Sequence, residues 1–570
     1  MAKKHVQTLE LRKRRCCFGL SLSTIGLSVV VAAGVIPVAV PQQALAYVAL
    51  MAGQRARPLN GTFNRVPVLH SNQPEEVEGP GILINTAPGY SYSAENGQNL
   101  RNAEYTFNGD FGIHHHHKYF PPYRRQIAPS QRRSELTLGL ILINPGYRPV
   151  HVRFASGAVR NSFEAPYLAN TMIGVRPLGP RPWNTGPGDA TAIQMLRERL
   201  DPRLSEAITI PPRSRIVLFQ TDLPALGVAN VLLRGSSDGP FQMAVVAAKE
   251  PTSDADLIAV LDEGRLAPGR VYLNRISEIN NRAIFSRVGG VALGDEYKAS
   301  LSHHLDLNGP LHVPLTSTFR HHFGTKEVQV NPLASRMIDS SLDNVGTYGV
   351  RFDVGLKLQG QGVYDLVLSH PAPNGGKPFI AFRGSIQVQS REGTREYHVV
   401  LRSGQSLPIT SLNLEPGVDN PIRVVMVYPA DATPGHLLSV VPSSQLARIQ
   451  EQDRQRELAR AEAERQARAQ ASQRAKGKGI GKAVKPAPQQ SPPPLPAVEA
   501  DETLADLLLQ QPEPPVAPPP MAPALMPPAV FPPAVGPAVM PPASQNPSLV
   551  DRYQQALEAQ QSIMRGLMGN

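Results

Sequence analysis

In residues 348–368, YGVRFDVGLKLQGQGVYDLVL, Tyr348, Val350, Phe352, Val354, Leu356 and Leu358 alternate with Gly349, Arg351, Asp353, Gly355 and Lys357. That is the period of a strand with one buried face, and a helix would scatter the same apolar groups around its axis. After the glycine-containing link 359–362 the apolar run resumes, which predicts a hairpin. Residues 138–154, LGLILINPGYRPVHVRF, repeat the grammar: apolar strand, Asn-Pro-Gly turn, then Val150, Val152 and Phe154 alternating with His151 and Arg153. A third glycine-punctuated stretch, RVGGVALGDEYKASL at 287–301, also reads as a hairpin. Strands with turn signals at this spacing predict an all-β chain of two β-sandwich-like domains, 58–265 and 266–442, followed by a charged helix and a Pro-rich disordered tail.

Residues 1–46 read as an export signal: a basic start (Lys3, Lys4, Arg12, Lys13, Arg14, Arg15), an apolar run over 18–40, and Ala44-Leu45-Ala46 as a small-x-small cleavage site before Tyr47. The apolar run is long for a signal, so an uncleaved membrane anchor is the alternative. Cys16 and Cys17 are the chain's two cysteines and would leave with the signal, so the mature chain would have no disulfide and no thiolate chemistry. Residues 47–57 form an N-terminal extension. The formal charge of +11 resolves into +5 in residues 1–46 and +6 in residues 448–485, and the rest balances to zero. A nucleic-acid-binding domain is therefore not expected.

Between the strands, DATAIQMLRERL at 189–200 predicts a helix with Asp189 at the N-cap, covering a sheet edge or end. Beyond residue 443 the composition changes. A charged basic helix or spacer is expected over 443–485, with few large apolar residues and hence no stripe for docking on the sheets. A Pro/Ala-rich disordered linker follows over 486–547, and a C-terminal amphipathic helix over 548–570. The tail is thus expected to be independent of the fold, with proteolysis cutting soon after Pro442.

The run His114-His115-His116-His117 is the candidate metal site, with His114, His116 and His117 as ligands. On a strand His114 and His116 share one face and His115 and His117 the other, so further ligands would have to come from pairs such as His303-His304 or His321-His322. The alternative is histidines in polar loops and at strand ends. There is no HExxH, Walker loop, GxSxG elbow or dinucleotide fingerprint, so neither a catalytic residue nor a cofactor is expected. One tryptophan and 6% aromatic residues give no stacking platform for sugars.

The segments PVLHSN, EGPGILINT, YTFNGDFGI with its His-His pair, LGLILINPG, FGTKEVQ, YGVRFDV, FRGSIQV and VYPADATPG, in that order over 67–441, resemble a family of exported cyanobacterial proteins catalogued as domain of unknown function 3370. In that pattern His116 and His117 match the His-His pair, while Val345 stands where the family carries a histidine before Gly346 and Tyr348. The resemblance implies export and fold class, and no activity. The reading is therefore an exported, non-catalytic cell-envelope protein, in the periplasm, the envelope or the medium. Its tail would contact an envelope polymer or protein, and it would touch membrane only through an uncleaved signal. The alternatives are a metal-binding protein or metal-dependent hydrolase using the histidine clusters, and a carbohydrate-binding module.

Overall fold

None of the three expected hairpins pairs with itself. Arg351–Gln359 lies in a seven-stranded sheet between Glu296–His304 and Asn420–Val427, whereas Gly362–Ser369 lies in a four-stranded sheet between Ser406–Leu414 and His436–Pro442. The link at 360–361 is a crossing from one sheet to the other. Phe352, Val354, Leu356 and Leu358 therefore meet Tyr364, Leu366 and Leu368 across a shared core instead of beside them. Period-2 alternation fixes which face is buried; it is silent about which strand lies alongside.

The computed structural model describes Leu50 and residues 55–477, less 73–76, 125–126, 128–133, 168–172, 181–184, 285, 372–378 and 431. The expected signal peptide, Pro/Ala-rich linker and C-terminal helix lie outside the described residues. The chain is mostly β, in several sheets. Alongside the seven- and four-stranded sheets runs a ten-stranded one: seven strands lie in the order Ala207–Ile210, Val150–Asn161, Val228–Lys249, Phe107–Lys118, Pro67–Asn72, Val288–Leu293, Leu333–Arg336, and Gly81–Asn85, Ser134–Asn144 and Ser214–Pro224 branch from this path. Its spine is the 22-residue strand Val228–Lys249. The first half pairs with Phe107–Lys118 and Val150–Asn161; after a register break between Ser237 and Phe241 the second half pairs with Ser134–Asn144 and Gly81–Asn85.

Strands are exchanged across residue 265. Thr62–Phe63 and Gly174–Pro177 form the two edges of the seven-stranded sheet, while Val288–Leu293 and Leu333–Arg336 extend the ten-stranded one. The stretch 287–301 is thus a passage between these two sheets, turning at Gly294 (φ 112°). Two hydrophobic cores result, one around Phe107, Phe111, Phe154 and Phe241, the other around Tyr297, Phe352, Phe382 and Tyr428.

The helix expected over 189–200 is Pro187–Leu196, with Gly186 at the N-cap and Asp189 inside the first turn. It covers no edge. Nine of its ten residues are buried, because it is wedged between the two large sheets, where Ala192, Met195 and Leu196 pack with Leu232, Val425 and Val427. Asp189 is fully buried; its Oδ2 accepts a hydrogen bond from Ser385 Oγ (3.0 Å) and lies 2.9 Å from His398 Nδ1. A second buried tie is Arg270, 2.9 Å from Asp339, whose guanidinium also donates to the carbonyl of Leu83 (3.0 Å).

The link at 145–149, between strands on the two halves of the ten-stranded sheet, and the crossing at 360–361 share one lock. Ser134–Asn144 pairs with Ser214–Pro224 and Val150–Asn161 with Ala207–Ile210, as Arg351–Gln359 pairs with Asn420–Val427 and Gly362–Ser369 with Ser406–Leu414. At the rung beside each link stands a buried asparagine. Asn144 Nδ2 donates to the carbonyls of Arg148, Ile210 and Pro211, and its Oδ1 accepts from Gly146 N–H. Asn420 Nδ2 donates to the carbonyls of Leu358, Glu415 and Val418, and its Oδ1 accepts from Glu415 N–H. Asn144 thus ties the links 145–149 and 211–213 together, and Asn420 ties the link 415–419 to the end of strand Arg351–Gln359.

The charged helix is Ser443–Gly477, and its start is docked. Leu446 and Ile449 are buried with Leu50, Val367 and Val441, so two apolar residues one turn apart suffice to seat it where the sequence showed no stripe. From residue 451 the described side chains are exposed.

Two measurements follow from these contacts. Asn144→Ala and Asn420→Ala should each cost about 1–3 kcal/mol, since buried carbonyls lose their donor. Lys357→Ala, at an exposed position of the same strand system, should stay within about 0.5 kcal/mol in denaturant titrations; equal costs at all three sites would contradict the lock. Limited proteolysis should leave a fragment that keeps Ile449, and Leu446→Ala should move the cut toward Pro442. A wild-type fragment ending at Pro442 with an unchanged melting temperature would show that the docked turns contribute nothing.

Candidate functional site

Strand Pro67–Asn72 runs parallel to Phe107–Lys118 with His70 opposite His114 and Ser71 opposite His115. Strand alternation then separates the histidine run. His114 points toward His70, Nδ1 to Nδ1 at 3.3 Å, and His116 Nδ1 lies 2.9 Å from Asn230 Oδ1. His117 faces the other way, with Nε2 2.9 Å from Ser71 Oγ and its ring near that of His115. The structure therefore does not bring His114, His116 and His117 to one point. His303 bonds to the carbonyl of Gly309, and His321 lies against Gly435, so neither pair joins the run. Among the described residues no group of three or more His, Cys, Asp or Glu is arranged to hold a metal ion.

What the cluster does instead is join the two cores. Gly349 (φ 77°) brings its backbone within contact of His114, where a Cβ would lie 3.3 Å from the histidine Cβ. Tyr348 thereby stacks on His114 (centroids 6.3 Å) and on Tyr428 (5.9 Å). Tyr428 Oη is 3.1 Å from His436 Nε2, and His436 meets His370 edge-on at 5.1 Å. The row from His70 to His370 crosses from one core to the other through side chains that are nearly all sealed from water.

Burial sets the protonation of these imidazoles. It pushes His70 and His115 down to about 3 and His370 to about 4. His114 and His117 are held well below their ordinary value by burial first and by neighbouring imidazoles second. All are neutral in the folded state, which suits rings that share single hydrogen bonds in dry packing.

The open polar chemistry lies elsewhere, in a cleft of about 550 Å³ on the outer face of the seven-stranded sheet, beside the C-terminal end of helix Pro187–Leu196. Gly393–Arg402 contributes Glu396, Ile380–Ser390 contributes Gln387 and Gln389, Asn420–Val427 contributes Arg423, and Arg351–Gln359 contributes Arg351. The turn after the helix adds Arg197 and Arg199. Arg197 forks onto Glu396 (2.6 Å), Gln387 Nε2 donates to Glu396 Oε1 (3.3 Å), Gln389 Nε2 to Gln387 Oε1 (3.1 Å), and Arg423 Nη1 to Gln389 Oε1 (3.4 Å). Arg423 also grips Asp353 (Nε to Oδ1 2.7 Å), which holds that carboxyl below its usual range. Arg351 reaches Glu198 at 3.3 Å. Sequence reasoning missed this site: its residues sit on four strands and a turn, with no local spacing to betray them.

The chain matches the family described as a protein of unknown function, DUF3370, over residues 54–442, and belongs to it. No curated protein matches the chain. Among solved structures, a mutant of Bacillus subtilis Oxalate Decarboxylase OxdC aligns at 10% identity over 67% of this chain and 78% of that one, with a TM-score of 0.08, too low to support any comparison. No helix among the described residues is long and apolar enough to cross a membrane.

The buried imidazoles make stability depend on pH with a defined sign. Each has a folded pKa below its unfolded value near 6.5, so its contribution is complete above about pH 6.5. Below that pH the unfolded chain binds protons that the folded chain refuses until about pH 3–4, and stability is lost through that window. The melting temperature should fall steeply from pH 6.5 to 4, and His115→Phe should flatten the slope. A slope unchanged in that variant would show that His115 is not titrating from a buried neutral state.

Proposed function

We propose that the chain is an exported, non-catalytic binding protein of the cell envelope: two sandwich-like β bodies that share strands, carrying a charged helix and a Pro-rich tail as tether. The observation that carries this reading is the division of its polar chemistry. Imidazoles, Asp189 and the Arg270–Asp339 pair are sealed in packing between and within the cores. The open cleft presents guanidinium, amide and carboxylate groups already hydrogen-bonded to one another. Paired, pre-oriented groups of that kind recognise a polar ligand at low ordering cost. Export rests on the pattern of residues 1–46, and the basic helix would add attraction for anionic envelope polymers.

Cell fractionation with N-terminal sequencing tests the reading. The expected result is a mature chain starting at Tyr47, outside the cytoplasm, that sediments with isolated envelope polymer. Full-length protein starting at Met1 in the membrane would favour the uncleaved anchor, and recovery in the cytosol would overturn the reading.

A further inference from the structure

We infer that the cleft beside helix Pro187–Leu196 binds an acidic saccharide, with a carboxylate or sulfate group on Arg199 and its hydroxyls on the Gln387–Gln389–Glu396 row; this rests on the envelope reading above. Three observations lead there. First, the amides are held in one direction: each glutamine Nε2 points toward Glu396 and each Oε1 toward Arg423. Every amide so held keeps one N–H and one lone pair for a ligand, and such alternating donors and acceptors match vicinal hydroxyls, which both give and accept. The row lies on two adjacent strands, and with Arg423 and Arg351 the polar lining crosses four, about 14 Å at the usual strand spacing, which is the reach of a short oligomer.

Second, the lining carries four guanidinium groups against two carboxylates. Arg197 is neutralised by Glu396 and Arg423 by Asp353. Arg351 lies between two carboxylates, Glu198 at 3.3 Å and Glu296 at 3.9 Å, and Arg199 makes no ion pair with a described residue. The unneutralised charge of the cleft thus lies on Arg199. Third, none of the described residues that line the cleft is aromatic, so what these residues offer a ligand is charge and hydrogen bonding. Charge and hydroxyl recognition remain, and a ligand bearing both is an acidic glycan.

Calorimetric titration of the full mature chain with an oligogalacturonate, its carboxyl-reduced neutral counterpart and polyglutamate tests this. The acidic oligomer should bind, with affinity falling as salt rises, and the neutral counterpart should bind at least ~10-fold more weakly, as expected for one lost charged hydrogen bond. Arg199→Gln, at an exposed position, should lower affinity ~10-fold without changing the melting temperature, and Gln389→Leu should weaken the oligogalacturonate selectively over polyglutamate. Equal binding of polyglutamate, no binding of the acidic oligomer, or indifference to both variants would overturn the inference. If the chain still sediments with envelope polymer in that event, the envelope reading stands; if it binds the oligomer yet is found in the cytosol, that reading alone falls.

Discussion

Strand sharing is the constraint on which the rest of the structure depends. Thr62–Phe63 and Gly174–Pro177 complete a sheet whose other strands all follow residue 295, and Val288–Leu293 and Leu333–Arg336 complete a sheet whose other strands all precede residue 250. An edge strand contributes a ladder of backbone hydrogen bonds to whichever sheet it joins and leaves unpaired groups on the sheet it abandons. Removing either half therefore exposes edges on the other. Helix Pro187–Leu196 compounds the dependence, since its apolar residues have no home except between the two sheets, and Asp189 inside it is paired to Ser385 and placed beside His398 from the second core.

The two asparagine-locked links are one device used twice. In each, two successive strands part at a link, onto different halves of the ten-stranded sheet in one case and onto different sheets in the other, and the later pair returns in mirror order. The links are glycine- and proline-rich and would otherwise leave carbonyls without donors. One buried amide satisfies several of them at once, from Ser134–Asn144 in one case and from Asn420–Val427 in the other. The polar cleft is a product of the same plan: the seven-stranded sheet turns Phe352 and Val354 to the core and Arg351 and Asp353 to the far side, under the end of the wedged helix, where they become cleft wall and support.

Much of this was legible in the residues and some was not, for identifiable reasons. The strands around Phe352 and Leu140 and the helix at 189–196 announce themselves by period, and the mostly β character follows. The separation of His114 from His117 follows from strand alternation alone. Pairing partners are a different kind of information: the glycines at 294 and 362 signal a change of direction, and a hairpin and a crossing require the same residues at the bend. His70 was hidden because a parallel neighbour forty residues away leaves no local mark. The docking of Leu446 and Ile449 was hidden because two apolar residues in a long charged helix fall below any stripe that periodicity can register.

A chain region of nearly 400 residues with two cores would ordinarily separate into independent units. Differential scanning calorimetry of the full chain at neutral pH decides whether strand sharing prevents this. The account predicts a single transition whose calorimetric and van't Hoff enthalpies agree. Two resolved transitions, one for each core, would show that the exchanged strands and the wedged helix do not bind the cores into one cooperative structure.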